Sequence, residues 1–158
     1  MINNDVMRRI RYIFDFSDKQ MIAVFAQAEY EANQAQLHSW LRKEEDPEFV
    51  RCTDLQFSLF LNGLINFKRG KKEGEPAPVE RALTNNIILM KLKIALNLKA
   101  EDMLEIMDLS GFKISKHELS ALFRKPDNRH YRQCQDQILR NFLKGMQLKI
   151  RGEAESED

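Results

Sequence analysis

The pairing in this 158-residue chain that comes nearest to chemistry is Cys134, four residues after His130, which could set a thiol beside a general base. Two features of the sequence argue against it. The other cysteine, Cys52, has Glu48 at the corresponding place, and Cys134 stands at a predicted helix start rather than on a glycine-rich elbow. His38, His117 and His130 are scattered, with no cysteine or carboxylate at metal-ligand spacing, and neither a P-loop nor a dinucleotide fingerprint occurs. The sequence therefore implies no catalytic residue, no metal and no small-molecule cofactor, and points to a protein that is not an enzyme.

What remains is binding chemistry. One basic group is Lys116, Arg124, Lys125, Arg129 and Arg132; another is Lys68, Arg69, Lys71 and Lys72. Such clusters can neutralise phosphates, each contact adding to the salt dependence of binding. Lysine and arginine in a last helical turn are also expected from the helix dipole alone, and Glu73 and Glu75 follow the second group closely.

The elements that position these residues come from a duplication. Residues 3–70 align with 85–152 at a constant shift of 82, without a gap. The identities fall at informative places: Asn3-Asn4 with Asn85-Asn86, Arg42-Lys43 with Arg124-Lys125, Cys52 with Cys134, Asp54 with Asp136, Gly63 with Gly145. Each copy is long enough for its own small core, unlike the short pieces of a solenoid. The fold class expected is all-α: a tandem duplication of a four-helix unit containing a helix-turn-helix-like pair, packed as one pseudo-twofold domain.

Helical periodicity and capping signals place the elements. Val6, Met7, Ile10, Ile13 and Phe14 make the first apolar face, copied by Ile88, Leu89, Leu92 and Leu96, with Asn4 or its neighbour as cap. Ser17 with Gln20 starts a second helix carrying Met21, Val24 and Phe25, matched by Met103, Ile106 and Met107. Third helices start at Asn33 and at Ser115, where Ser115 and Glu118 form the clearest capping box. Fourth helices run from near Thr53 to Gly70, with Leu59, Phe60 and Leu64 inward, and up to Gly152 in the copy. Gly63 and Gly145 lie inside them, where glycine is about 1 kcal/mol worse than alanine, so a close helix crossing is expected there, with the contact between the two units as one location for it. Residues 71–84 read as a Gly/Pro/charged connector, and 153–158 as a disordered acidic tail.

Composition is that of a globular protein: 43% hydrophobic, 31% charged, net +1. The longest apolar runs are a few residues, far short of the roughly 18 that cross a bilayer, and Asp5 with the nearby arginines breaks any signal-peptide core. The expected address is cytoplasmic, with both cysteines reduced. The charge is uneven: the first repeat carries 9 basic against 10 acidic residues, the second 13 against 7, and the tail adds four acids.

The stretches Asn62–Gly74, Leu83–Asn86, Ser115–Ala121, Phe123–Asp127 and Cys134–Leu143 resemble the family of uncharacterised bacterial proteins typified by YehS. The resemblance spans nearly the whole chain. It implies an internally duplicated, all-helical, cytosolic bacterial protein and brings no activity and no functional residue with it.

Two binding readings follow. In the first, the basic second repeat associates with nucleic acid, through the helix-turn-helix-like pair or the lysines and arginines beside it. The turn from Gly111 to Ser115 is longer than usual, Glu29 replaces that glycine in the first copy, and Gln34, Gln36, Lys116 and Glu118 are not a convincing base-reading set. In the second, a groove between the repeats takes a protein partner or a second copy of the chain, using Phe57 and Phe67, which fall off the cleanest stripe of the fourth helix.

Overall fold

A computed structural model describes residues 1–74 and 76–152, leaving Glu75 and residues 153–158, the expected disordered acidic tail, outside the described residues. The described residues form eight α-helices and no strand. They are α1 (Asn3–Phe14), α2 (Asp18–Ala26), α3 (Gln34–Leu41) and α4 (Asp54–Arg69), then α5 (Asn85–Ala95), α6 (Ala100–Leu109), α7 (Lys116–Leu122) and α8 (Asp136–Arg151). The chain divides into two compact units, Met1–Leu83 and Thr84–Asp158.

The helices start where side-chain oxygens meet orphan backbone N–H groups. Ser17, Thr53 and Ser115 accept from the amides of Gln20, Gln56 and Glu118, whose side chains accept from the cap N–H in return. Asn33 caps α3 and Thr84 caps α5. The cap expected at Asn4 is instead at Ile2, whose N–H donates to the Asp5 carboxylate. Asn4 has another task.

In the first unit Val6, Met7, Ile10, Ile13, Met21, Val24, Phe25, Leu37 and Trp40 are buried together with Phe57, Phe60, Leu61 and Leu64 of α4. The stripe on α4 thus runs through Phe57 rather than the half-buried Leu59. Its other side is also covered, because the connector folds back along the helix. Ser58 donates to the Glu80 carboxylate at 2.6 Å, and Asn62 donates to the Pro78 carbonyl at 3.0 Å. A helix buried on two sides does not announce its core face by periodicity alone. The second unit repeats the plan with Ile88, Leu89, Leu92, Met103, Ile106, Met107, Leu119, Leu122, Ile138, Leu139, Phe142, Leu143 and Met146.

The two in-helix glycines mark crossings within each unit. A Cβ on Gly63 would lie 1.9 Å from the Val24 carbonyl oxygen of α2, and one on Gly145 would lie 1.9 Å from that of Ile106 on α6. The close approach is therefore α2 on α4 and α6 on α8, not a seam between units. The turns after α2 and α6 also match. Glu29 takes φ +61° where Gly111 takes +84°, a left-handed conformation that a residue with a Cβ adopts at a cost.

Candidate nucleic-acid interface

The basic group of the second unit sits mostly on one loop, between α7 and α8. Its backbone frame is two successive turns. The amide of Asn128 donates to Lys125 O at 2.9 Å, that of Tyr131 to Asn128 O at 2.9 Å, and that of Arg132 returns to Ala121 O at 3.1 Å. The His130 amide donates to the Asn128 side-chain oxygen at 2.8 Å. The first unit has the same frame between α3 and α4, at the positions 82 residues earlier: Asp46 to Lys43, Phe49 to Asp46 and Val50 to Ser39, each 3.0 Å, and the Glu48 amide to the Asp46 carboxylate at 2.8 Å.

A buried asparagine holds each loop to its unit. Asn4, fully buried, donates from Nδ2 to Trp40 O at 2.8 Å and Val50 O at 3.0 Å, while its Oδ1 accepts from the Cys52 amide at 3.0 Å. Asn86 does the same with Leu122 O, Arg132 O and the Cys134 amide, at 2.9, 2.8 and 2.9 Å. Beside them, Asn3 and Asn85 donate to the Cys52 and Cys134 carbonyls and to Asp54 and Asp136. The shared Asn-Asn, Cys and Asp identities are thus one device, which ties the first helix of a unit to the loop before its last helix. Local sequence gave no sign of it, since the partners stand 36 to 51 residues away.

On this common frame the charge is reversed. Residues 42–51 hold three basic side chains against four acidic ones, whereas 124–133 hold four against one. Arg42 engages Asp46 Oδ2 at 3.1 Å and Glu48 Oε1 at 3.2 Å. Arg124 finds Asn128 and His130 at those positions, and its Nε is buried without a hydrogen-bond partner among the described residues. Lys125 and Arg129 are exposed, with Arg129 Nε 3.3 Å from His130 Nε2. Arg132 lies 3.6 Å from Glu118, and Lys116 lies 3.6 Å from Glu101.

Lys68, Arg69, Lys71 and Lys72 belong to the first unit. Lys68 lies over the Phe14 ring at 4.1 Å and near Phe16, where burial lowers its pKa, and Lys71 pairs with Glu29 at 2.9 Å. Phe57 is corrected outright: it is fully buried, stacked on Phe60 with centroids 5.8 Å apart, and offers no surface to a partner. Phe67 is partly exposed and packs edge-on against Phe16.

Nor do the cysteines resemble nucleophiles. Burial, reinforced by the charge of Asp54, pushes the Cys52 thiol up to about 12; burial and Asp136 push Cys134 up to about 11. Both are free and buried. His130 is exposed, and its backbone amide is engaged by Asn128. Among the described residues no group of three or more His, Cys, Asp or Glu is placed to hold a metal ion, and no described helix is long and apolar enough to cross a membrane.

Fold and loop together define an all-α protein made of a duplicated four-helix unit, in which the copies keep one frame and differ in surface charge. The chain belongs to the family described as "Protein of unknown function (DUF1456)", whose model matches residues 3–70 and again 85–152. It is 44% identical over 147 residues to the uncharacterised protein YehS of Escherichia coli strain K12, a match covering 92% of this chain and 94% of that protein. No solved structure matches it.

Proposed function

We propose that the second unit binds the phosphate backbone of nucleic acid through the α7–α8 loop, by association rather than chemistry. The observation that carries this reading is the charge reversal on a shared frame. On a loop whose backbone is otherwise the same, three cations against four acids become four against one: Arg124 and Lys125 keep the basic pair of the first unit, Arg129 and Arg132 stand where it has Pro47 and Val50, and three of its acids have no counterpart.

The loop is a better candidate than the helix-turn-helix-like pair. Helix α7 has only seven residues, and six residues separate it from α6. Its first turn carries Glu118, whose carboxylate closes the capping box and would face phosphates with the wrong sign. Recognition through backbone charge tolerates many sequences, and it is strongly salt-dependent.

Four contacts from Arg124, Lys125, Arg129 and Arg132 predict a slope of about −3 in log affinity against log salt, roughly a 60-fold loss between 50 and 200 mM. Fluorescence anisotropy with a labelled oligonucleotide measures it. Arg124→Glu with Lys125→Glu abolishes binding, whereas Lys71→Glu with Lys72→Glu leaves most of it. The absence of binding by the unaltered protein at 20–50 mM salt, about the range where such contacts are strongest, refutes the reading.

A further inference from the structure

The duplication supplies an internal control for Arg124. In the first unit the equivalent Arg42 is satisfied by two carboxylates, Asp46 on one arm and Glu48 on the other. The roles of the two Asp46 oxygens are distinct. Oδ1 accepts from the Glu48 amide and so belongs to the turn, while Oδ2 accepts from Arg42.

In the second unit Asn128 keeps the first role, since its Oδ1 accepts from the His130 amide at the same 2.8 Å. That bond fixes the orientation of the amide group, because a backbone N–H requires an acceptor. Nδ2 then occupies the place of Asp46 Oδ2. An acceptor for the arginine has become a donor, and the second acceptor, Glu48, has become His130. Arg124 cannot relieve this by losing its proton, and its Nε is buried without a partner among the described residues. Among the described residues no carboxylate pairs with Arg124 as Asp46 and Glu48 pair with Arg42 through Nη1 and Nη2, and the acceptor that His130 offers, Nε2, faces Arg129 Nε at 3.3 Å, so an oxyanion would supply what the two acids supply in the first unit.

We propose that the α7–α8 loop binds one phosphate group at the place taken in the first unit by the Asp46 and Glu48 carboxylates, with Arg124 as its fork and Asn128 Nδ2 as a second donor. This rests on the phosphate-binding reading above and deepens it, by naming the subsite and the two differences between the copies that define it. The shared chemistry is a phosphate oxygen pair, from a nucleic-acid backbone or from free phosphate. Arg129 and Arg132 stand on the same loop and add longer-range attraction.

The test uses the full chain and two probes. In the first arm, inorganic phosphate is titrated into isotope-labelled protein while the Arg124 Nε–H resonance is followed. A saturable shift is expected, absent in the Asn128→Asp, His130→Glu double variant, which restores the first unit's acids. In the second arm, a labelled oligothymidylate is titrated at low salt. The same double variant weakens binding at least ten-fold more than Lys144→Ala with Lys149→Ala, a control on α8 that lowers net charge by the same two. The reciprocal variant, Asp46→Asn with Glu48→His, raises bound phosphate from one to two per chain.

Equal weakening by the double variant and the control overturns the subsite but leaves nucleic-acid association standing. An Arg124 resonance indifferent to phosphate overturns it as well. Saturable phosphate binding with no oligonucleotide binding supports the subsite and assigns it to free phosphate, in which case the nucleic-acid reading fails alone.

Discussion

Replacing Asn4 by alanine removes three hydrogen bonds at once from a side chain with no exposed surface. The three groups left behind are the carbonyl of Trp40 in the last turn of α3, the carbonyl of Val50 and the amide of Cys52. Each neutral bond contributes about 1 kcal/mol net, and a buried group left unpaired costs about 1–3 kcal/mol, so a total loss of about 3–5 kcal/mol is expected. That is a large share of the roughly 5–15 kcal/mol that holds a domain. Trp40 is the chain's only tryptophan, buried and 5.3 Å from Phe25, so its fluorescence reports the first unit specifically. With a urea slope of about 1.5 kcal/mol/M, the midpoint falls by roughly 2–3 M. Asn3→Ala is the graded control, because its bonds to Cys52 O and Asp54 are partly exposed, and it loses about 1 kcal/mol. Asn4→Asp should be no better than alanine, since it sets a carboxylate against two carbonyls. An Asn4→Ala midpoint within about 0.3 M of the unaltered protein, or a larger loss from Asn3→Ala, would refute the account of the clamp.

Gly145→Ala gains about 1 kcal/mol of helix propensity yet places a Cβ on the Ile106 carbonyl, so a net loss of about 3 kcal/mol should appear in thermal unfolding followed by circular dichroism. Glu29→Gly relieves a left-handed residue and gives up only an exposed pair with Lys71; a gain of up to about 1 kcal/mol by urea titration is expected, whereas destabilisation would count against strain at that turn. His38, then Gln34 and Arg11, lower the Asp18 carboxyl from 3.8 to about 2. Because the folded value is depressed, the stabilisation is present above pH about 4 and is lost as pH falls through about 2; Asp18→Asn should flatten the melting temperature across that window.

Much of the scaffold was legible in the chain because it rests on local rules. Ser17, Thr53 and Ser115 start helices as their capping boxes require, and Gly63 and Gly145 announced a crossing that no side chain could occupy. Two readings failed for the same reason. Asn4 at a helix start reads as a cap, and Phe57 reads as off-stripe, until the partners that decide each are known: a loop 46 residues away for one, a connector folded onto α4 for the other. The basic loop was visible as a charge difference between repeats. Its sharper meaning needed the hydrogen bonds, which show that Asp46 and Asn128 do the same work for the turn and that Asp46 also accepts from the arginine of its unit.

The asparagine clamp grips only main-chain groups of the loop it holds. A loop anchored by its backbone is an exchangeable cassette: its outward side chains can be rewritten without disturbing the anchor. Doubling such a unit therefore leaves one copy free to keep the original surface while its twin drifts toward a new partner. The same property makes the α3–α4 and α7–α8 segments natural sites for grafting recognition sequences, with the flanking helices left as they are.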